Sequence, residues 1–196
     1  MLKIYFSWRE IFMDLRTQRT LSSIENAFID LTLTEGFSKV TVRQIAAEAR
    51  INPKTFYDHF HNKTALAAYL TQKFLNQYAQ LIQTRLENNQ DILAGHLDLH
   101  LQGLLSSIID NQKLKKTILA LESIHSNSLD FEAQFLQVVS ENLNKYHISK
   151  DPLTIDIIAT ITLKIINYYI RTNEPFSLSR QENIVKTLER IINPSR

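Results

Sequence analysis

TVRQIAAEARINPKTFYDHFHNK, residues Thr41 to Lys63, is the stretch on which the fold of this chain turns. Thr41 and Gln44 have the S/T-x-x-E/Q spacing. At that distance the hydroxyl takes a backbone N–H of the first helical turn and the amide side chain returns to the cap backbone. A helix is therefore expected from Thr41 through Ile45 to Ala49. Asn52 before Pro53 repeats the signal, because the Asn side chain caps and Pro is tolerated where the N–H has no partner. This next helix should be short, from Pro53 to about Phe60. Phe56 and Phe60 are four apart and face inward, leaving Lys54, Thr55, Asp58 and His59 on the outer side. Two short helices joined by Arg50-Ile51, the second opening on polar and cationic residues, describe a helix-turn-helix. Such a helix fits the major groove of B-form DNA, its first turn offering side chains to base edges and N–H groups to phosphates.

Outward from this stretch the chain reads as helix throughout. Leu21, Ile24, Phe28 and Leu31 repeat at three- and four-residue steps on one face of a preceding helix, and Gly36 can take the left-handed conformation that ends it. Asn62 can cap a longer helix running beyond Leu81. Five more helices are expected at about 91–110, 112–126, 129–147, 152–172 and 179–193. Their starts are marked by Asp91, Asp110 or Asn111, Ser128, Asp151-Pro152 and the box Ser179-x-x-Glu182.

Composition agrees. The 196 residues include 3 Gly, 4 Pro and no Cys, against a usual Gly plus Pro content of roughly 12%. With glycines only at positions 36, 95 and 103 there is no phosphate loop and no dinucleotide turn. Absence of Cys removes disulfides, thiolate metal sites and cysteine nucleophiles, and suits a reducing cytosol. No Asn-Gly or Asp-Gly pair offers a tight hairpin. The expected class is all-α, about nine helices split between a short cluster and a larger bundle.

Charge is placed unevenly. The net charge is only +2, but Lys39, Arg43, Arg50, Lys54 and Lys63 face just Glu48 and Asp58 between residues 38 and 63. A basic patch on an otherwise balanced chain points to phosphate.

The run Val40-Thr-Val-Arg-Gln-Ile-Ala-Ala-Glu-Ala, then Thr55-Phe-Tyr-Asp-His-Phe and Asn62-Lys-Thr-Ala-Leu, resembles the DNA-binding domain of the TetR family of bacterial transcriptional regulators. The resemblance covers about Asp14 to Phe74. It implies an N-terminal helix-turn-helix domain at 14–75 and a ligand-binding and dimerisation bundle at 76–196. It implies phosphate contacts by Thr41, Arg43, Tyr57, His59 and Lys63, with base reading by Asn52, Pro53, Lys54 and Thr55 and often by Arg43. Family members usually carry Gly where this chain has Arg50. Arg50 is therefore expected at positive φ, at a cost of roughly 1 kcal/mol. The resemblance further implies a homodimer on a double-stranded DNA operator, released by a small-molecule effector, although some members activate or need a corepressor.

In the C-terminal part, the rows Leu153/Ile157/Ile161/Ile165/Tyr169 and Ile158/Ile166/Ile170 make one helix apolar on more than one side. Together with Ile184, Leu188, Ile191 and Ile192 of the last helix they are the expected dimer interface. Asp156 and Lys164 interrupt the helix, so no membrane span is expected and the location should be cytoplasmic. His96 and His100 share a helix face and, with His125, Tyr146 and Tyr168, are candidates to line a ligand pocket. The metal-enzyme alternative rests on His96 and His100 alone, without the H-E-x-x-H pattern; a ligand carrier that never touches DNA is the other competing class. No nucleophile–base set can be assembled, so neither an enzyme nor a cofactor is expected. Residues 1–13 read as an N-terminal extension ahead of a start at Met13, Trp8-Arg9-Glu10 being encodable as a ribosome-binding site. They could equally be an amphipathic arm built on Ile4, Trp8, Ile11 and Phe12.

Overall fold

The caps expected at Thr41, Asn52, Asn62, Asn111 and Asp151 sit at helix starts. The computed structural model describes residues 8–87, 111–124, 129–147, 149–175 and 177, with 179–180, 182–184 and 186–187. Among these residues every regular element is helical: α1 Trp8–Glu35, α2 Val42–Glu48, α3 Pro53–Tyr57, α4 Lys63–Glu87, α5 Gln112–Glu122, α6 Phe131–Lys145 and α7 Pro152–Thr172. Further helical backbone occurs within 179–187. The helix expected at 91–110 lies outside the described residues, as do His96, His100, His125, Leu188 and Ile191. Among the described residues α1 already runs from Trp8.

The caps are made by the expected atoms. Thr41 Oγ1 accepts from Gln44 N at 3.2 Å while Gln44 Oε1 accepts from Thr41 N at 2.8 Å. Asn52 Oδ1 accepts from Lys54 N at 2.8 Å, with Pro53 in the first turn. Asn62 Oδ1 accepts from Ala65 N, Asn111 Oδ1 from Lys113 N and Leu114 N, and Asp151 Oδ2 from Thr154 N. Each cap satisfies N–H groups that have no partner within the helix, typically contributing about 1 kcal/mol at such positions.

The chain divides into two compact units, Met1–Gln72 with Lys116–Asp130, and Lys73–Lys115 with Phe131–Arg196. The first thus takes in part of α5, where Lys116 pairs with Asp30 of α1 at 2.7 Å. Its core is Ile24 and Phe28 of α1, Val40 of the α1–α2 connection, Ile45 and Ala46 of α2, Phe56 of α3, and Leu66 and Ala67 of α4, all essentially without exposure. Phe56 is what holds the five-residue α3. A helix that short has no stability of its own, and removing a buried Phe side chain costs about 3–5 kcal/mol.

In the second unit Phe74 and Tyr78 of α4 meet Phe131 and Phe135 of α6 in a chain of ring contacts, the closest being Tyr78–Phe135 at 4.7 Å between centroids. Burial pushes the Tyr78 phenol far above its ordinary pKa. Helix α7 buries Ile155, Ala159, Leu163, Ile166, Tyr169 and Ile170. By length and composition α7 could cross a membrane. Its buried face and its exposed Asp156 and Lys164 are those of a core helix at a protein surface.

Among the described residues of the first unit, two positions outside helices adopt the left-handed conformation. Gly36 ends α1 at φ +84, and Arg50 follows α2 at φ +55, where the sequence led us to expect positive φ. Arg50 N–H bonds Ala47 O at 3.1 Å and Ile51 N–H bonds Ala46 O at 2.9 Å. That is the two-bond helix termination usually built on Gly. The same backbone energy should therefore act with opposite signs at the two sites. Gly36→Ala, whose new Cβ meets nothing within 4 Å, is expected to destabilise by about 1 kcal/mol, and Arg50→Gly to stabilise by about as much. Urea unfolding of both variants tests this; a loss of stability in Arg50→Gly would show that its side chain offsets the strain.

Candidate nucleic-acid interface

Helix α2 packs on α1 and α3 on α2, and the turn between α2 and α3 consists of Arg50 and Ile51 before the Asn52 cap. The left-handed Arg50 reverses the chain there, so α3 opens on residues that face outward. Asn52, Pro53 and Lys54 are exposed, as are Thr41 and Arg43 at the start of α2. Tyr57 is 56% exposed although it stands beside the buried Phe56, its ring edge-on to that ring at 5.7 Å. Thr55 and His59 are half-buried, His59 lying against Phe60 at 6.3 Å. The observed outer face is therefore Asn52, Pro53, Lys54, Tyr57 and Asp58, with Thr55 and His59, expected on that side, half-buried at its margin.

Arg43 and Lys54 are exposed guanidinium and ammonium groups one helix apart, with no ion pair to a described residue. Asn52 spends its oxygen on Lys54 N–H, which leaves its amide N–H groups as donors. Cationic and amide donors of this kind, on a helix's first turn, recognise phosphate oxygens and base acceptors.

Two residues expected on phosphate have other work. Lys63 donates to Phe37 O at 2.6 Å, Val40 O at 2.8 Å and Ser38 O at 3.1 Å, and its Nζ lies 4.6 Å over the Phe37 ring. An ammonium has three protons, and here all three are taken by carbonyls of the α1–α2 connection. Lys63 is thus a clamp on that connection. Thr41 likewise donates its hydroxyl proton to Gln44 Oε1 at 2.7 Å. Its O–H serves the cap.

Gln44 carries a contact that sequence spacing could not reveal. Its Nε2 donates to Glu35 Oε2 at 2.7 Å, tying the end of α1 to the start of α2. The capping box announced the Gln44 oxygen but nothing announced its nitrogen.

Of the pocket candidates, Tyr146 is half-buried and donates to Glu87 Oε1 at 2.9 Å. Tyr168 is exposed, which corrects its expected place in a cavity. Its hydroxyl donates to Glu174 and accepts from Arg180, whose guanidinium lies 5.3 Å over the ring. The bond and charge of Arg180 hold the Glu174 carboxyl below its ordinary pKa. Of the interface candidates, Ile157, Ile161 and Ile184 are exposed, Ile158 and Ile165 half-buried, and Tyr169 buried. Tyr169 belongs to the core face of α7 and so leaves the expected interface.

Residues 29–70 match the model of a family described as bacterial regulatory proteins, tetR family. No curated protein matches the chain. Solved structures resemble it over most of its length. The fatty acid degradation regulator FadR from Bacillus halodurans shares 15% identity at a TM-score of 0.63, over 86% of this chain and 93% of that one. SmeT, in complex with triclosan, shares 16% at 0.66, over 88% and 90%. NalD, the secondary repressor of the MexAB-OprM multidrug efflux pump in Pseudomonas aeruginosa, shares 19% at 0.63, over 89% and 96%. At these identities the likeness is one of fold.

The clamp at Lys63 is directly testable. Lys63→Met leaves three carbonyls without a donor and is expected to destabilise the protein by about 2–3 kcal/mol, seen as a lower urea midpoint. A variant as stable as the wild type would return Lys63 to the phosphate role.

Proposed function

We propose that this chain, which carries the N-terminal domain of the TetR family of bacterial regulatory proteins, is a homodimeric repressor released from a near-palindromic operator by a small molecule. The observation that carries the DNA-binding part is the first turn of α3. Asn52, Pro53 and Lys54 stand exposed on a helix anchored by the buried Phe56, next to the exposed Arg43. In the proposed complex α3 enters the major groove, Asn52, Pro53, Lys54 and Thr55 read bases, and Arg43, Tyr57 and His59 meet the backbone. A cytoplasmic location follows from that role.

The dimer is supported by α7. Its core face is buried, yet Leu153, Ile157 and Ile161 on another face are 66%, 48% and 39% exposed. Ile184 is exposed as well. A contiguous row of large aliphatic side chains in water marks a surface that another protein covers. A symmetric pair of chains would set two α3 helices in successive major grooves, roughly 34–36 Å apart.

Repression and its release are supported by two facts of different kinds. NalD is a repressor and SmeT binds triclosan, both on this fold. In this chain's second unit the Asn167 Oδ1 is buried and takes no hydrogen bond from a described residue, an orphan acceptor that a bound molecule's donor could satisfy. Release then requires that the effector bind the DNA-incompetent arrangement more tightly than the competent one.

Lys54→Ala should weaken binding to a selected operator by roughly 1–3 kcal/mol while changing random-sequence binding far less. Equal losses on the two DNAs would remove Lys54 from base reading. For the dimer, Ile157→Glu with Ile161→Glu should turn a dimer into a folded monomer in sedimentation at micromolar concentration. A wild type that already sediments as a monomer would sink the dimer.

A further inference from the structure

Helix α1 carries a second cationic feature, away from the first turn of α3. Ser23, Asn26, Ala27 and Asp30 of α1 line one open cleft of about 250 Å³ together with Glu48, Ala49 and Arg50. That side of α1 therefore looks out beside the turn leading into α3. Steps of three and four residues carry the same helix face back from Ser23 to Arg19 and Arg16. At 1.5 Å per residue these stand about 6 and 10 Å further along the helix axis.

We propose that Arg16 and Arg19 of α1, with Arg50 in the α2–α3 turn, form a second contact with duplex DNA, holding backbone phosphates flanking the groove that α3 enters. The proposal rests on the DNA-binding reading. Three features carry it. Arg16, Arg19 and Arg50 are exposed, and none makes an ion pair or hydrogen bond through its side chain with a described residue. The acids nearby do not neutralise them: Asp30 is held by Lys116 at 2.7 Å, and Glu48, which lines the same cleft as Arg50, is exposed and makes no ion pair with a described residue. The three side chains are all Arg, whose planar fork suits phosphate oxygens and is more weakly hydrated than an ammonium. Arg50 also stands two residues before the cap of α3, so the cationic line continues directly from the reading helix. A left-handed non-Gly residue costs energy that Gly would avoid; a phosphate contact gives that arginine a function.

The test uses the full chain and a duplex site that the wild type selects from a random-sequence pool. The site is prepared in a short form ending at its own edges and in a long form with about one further helical turn on each side, roughly ten base pairs. Affinities are measured between about 50 and 200 mM salt. On the long duplex Arg16→Ala with Arg19→Ala is expected to reduce the slope of log affinity against log salt by about 2 per subunit, at about 0.9 per lost phosphate contact. On the short duplex it should leave the slope nearly unchanged. Arg16→Lys with Arg19→Lys should restore most of the slope, because charge and not packing sets it. Arg50→Gly, which keeps the turn, should lower the slope by about 1. An Ala pair with a wild-type melting temperature and a wild-type slope on the long duplex would overturn the contact. A wild type that selects no DNA would overturn the DNA-binding reading itself, and the second contact with it.

Discussion

The ammonium group of Lys63 is the point on which the first unit is assembled, because it satisfies two needs with one set of bonds. The connection between α1 and α2 carries carbonyls that no helix ladder can use, and an unpaired buried carbonyl costs about 1–3 kcal/mol. A half-buried cation likewise needs acceptors. Phe37, Ser38 and Val40 supply three carbonyls to three protons, and the Phe37 ring covers the charge. Once the connection is held, the place where α2 begins is set. Thr41 and Gln44 then close the cap, and Gln44 reaches back to Glu35 at the end of α1.

From that start the path to α3 is short and strained in one place. Seven residues of α2 bury Ile45 and Ala46 and end in a termination that wants glycine and has Arg50. The turn aims α3, and Phe56 pins it, so the exposed Asn52–Lys54 turn stands on a rigid base of caps and core. Side chains that meet a ligand need such support more than they need their own helix propensity. The second unit works by a different constraint. Its aromatic chain through Phe74, Tyr78, Phe131 and Phe135 is closed on itself, whereas α7 is apolar on two faces and finds burial for only one of them.

Much of this was legible in residue order. Caps at Thr41, Asn52, Asn62, Asn111 and Asp151 are local events within three residues, and each was where the spacing placed it. The positive φ of Arg50 was legible too, through the missing glycine. The clamp at Lys63 was not legible because its partners lie 23 to 26 residues earlier, in a connection without periodicity. Tyr168 was misread because a helical row shows only which residues share a face. Whether that face meets a core, a partner or an Arg180 folded back from the next segment is invisible in the row. The same limit let residues 116–130 join the first unit unannounced.

Sequence alone determined the all-helical class, the helix starts, the helix-turn-helix and the cations that mark its outer side. These depend on contacts between neighbours in the chain, whose energies are decided by spacing. Tertiary structure alone decided which cations stay free. Lys63 and Lys116 are taken by acceptors distant in sequence, while Arg16, Arg19, Arg43, Arg50 and Lys54 make no ion pair with a described residue. A charge becomes available for binding only when folding brings it no partner, and that depends on distances between segments that spacing along the chain does not encode.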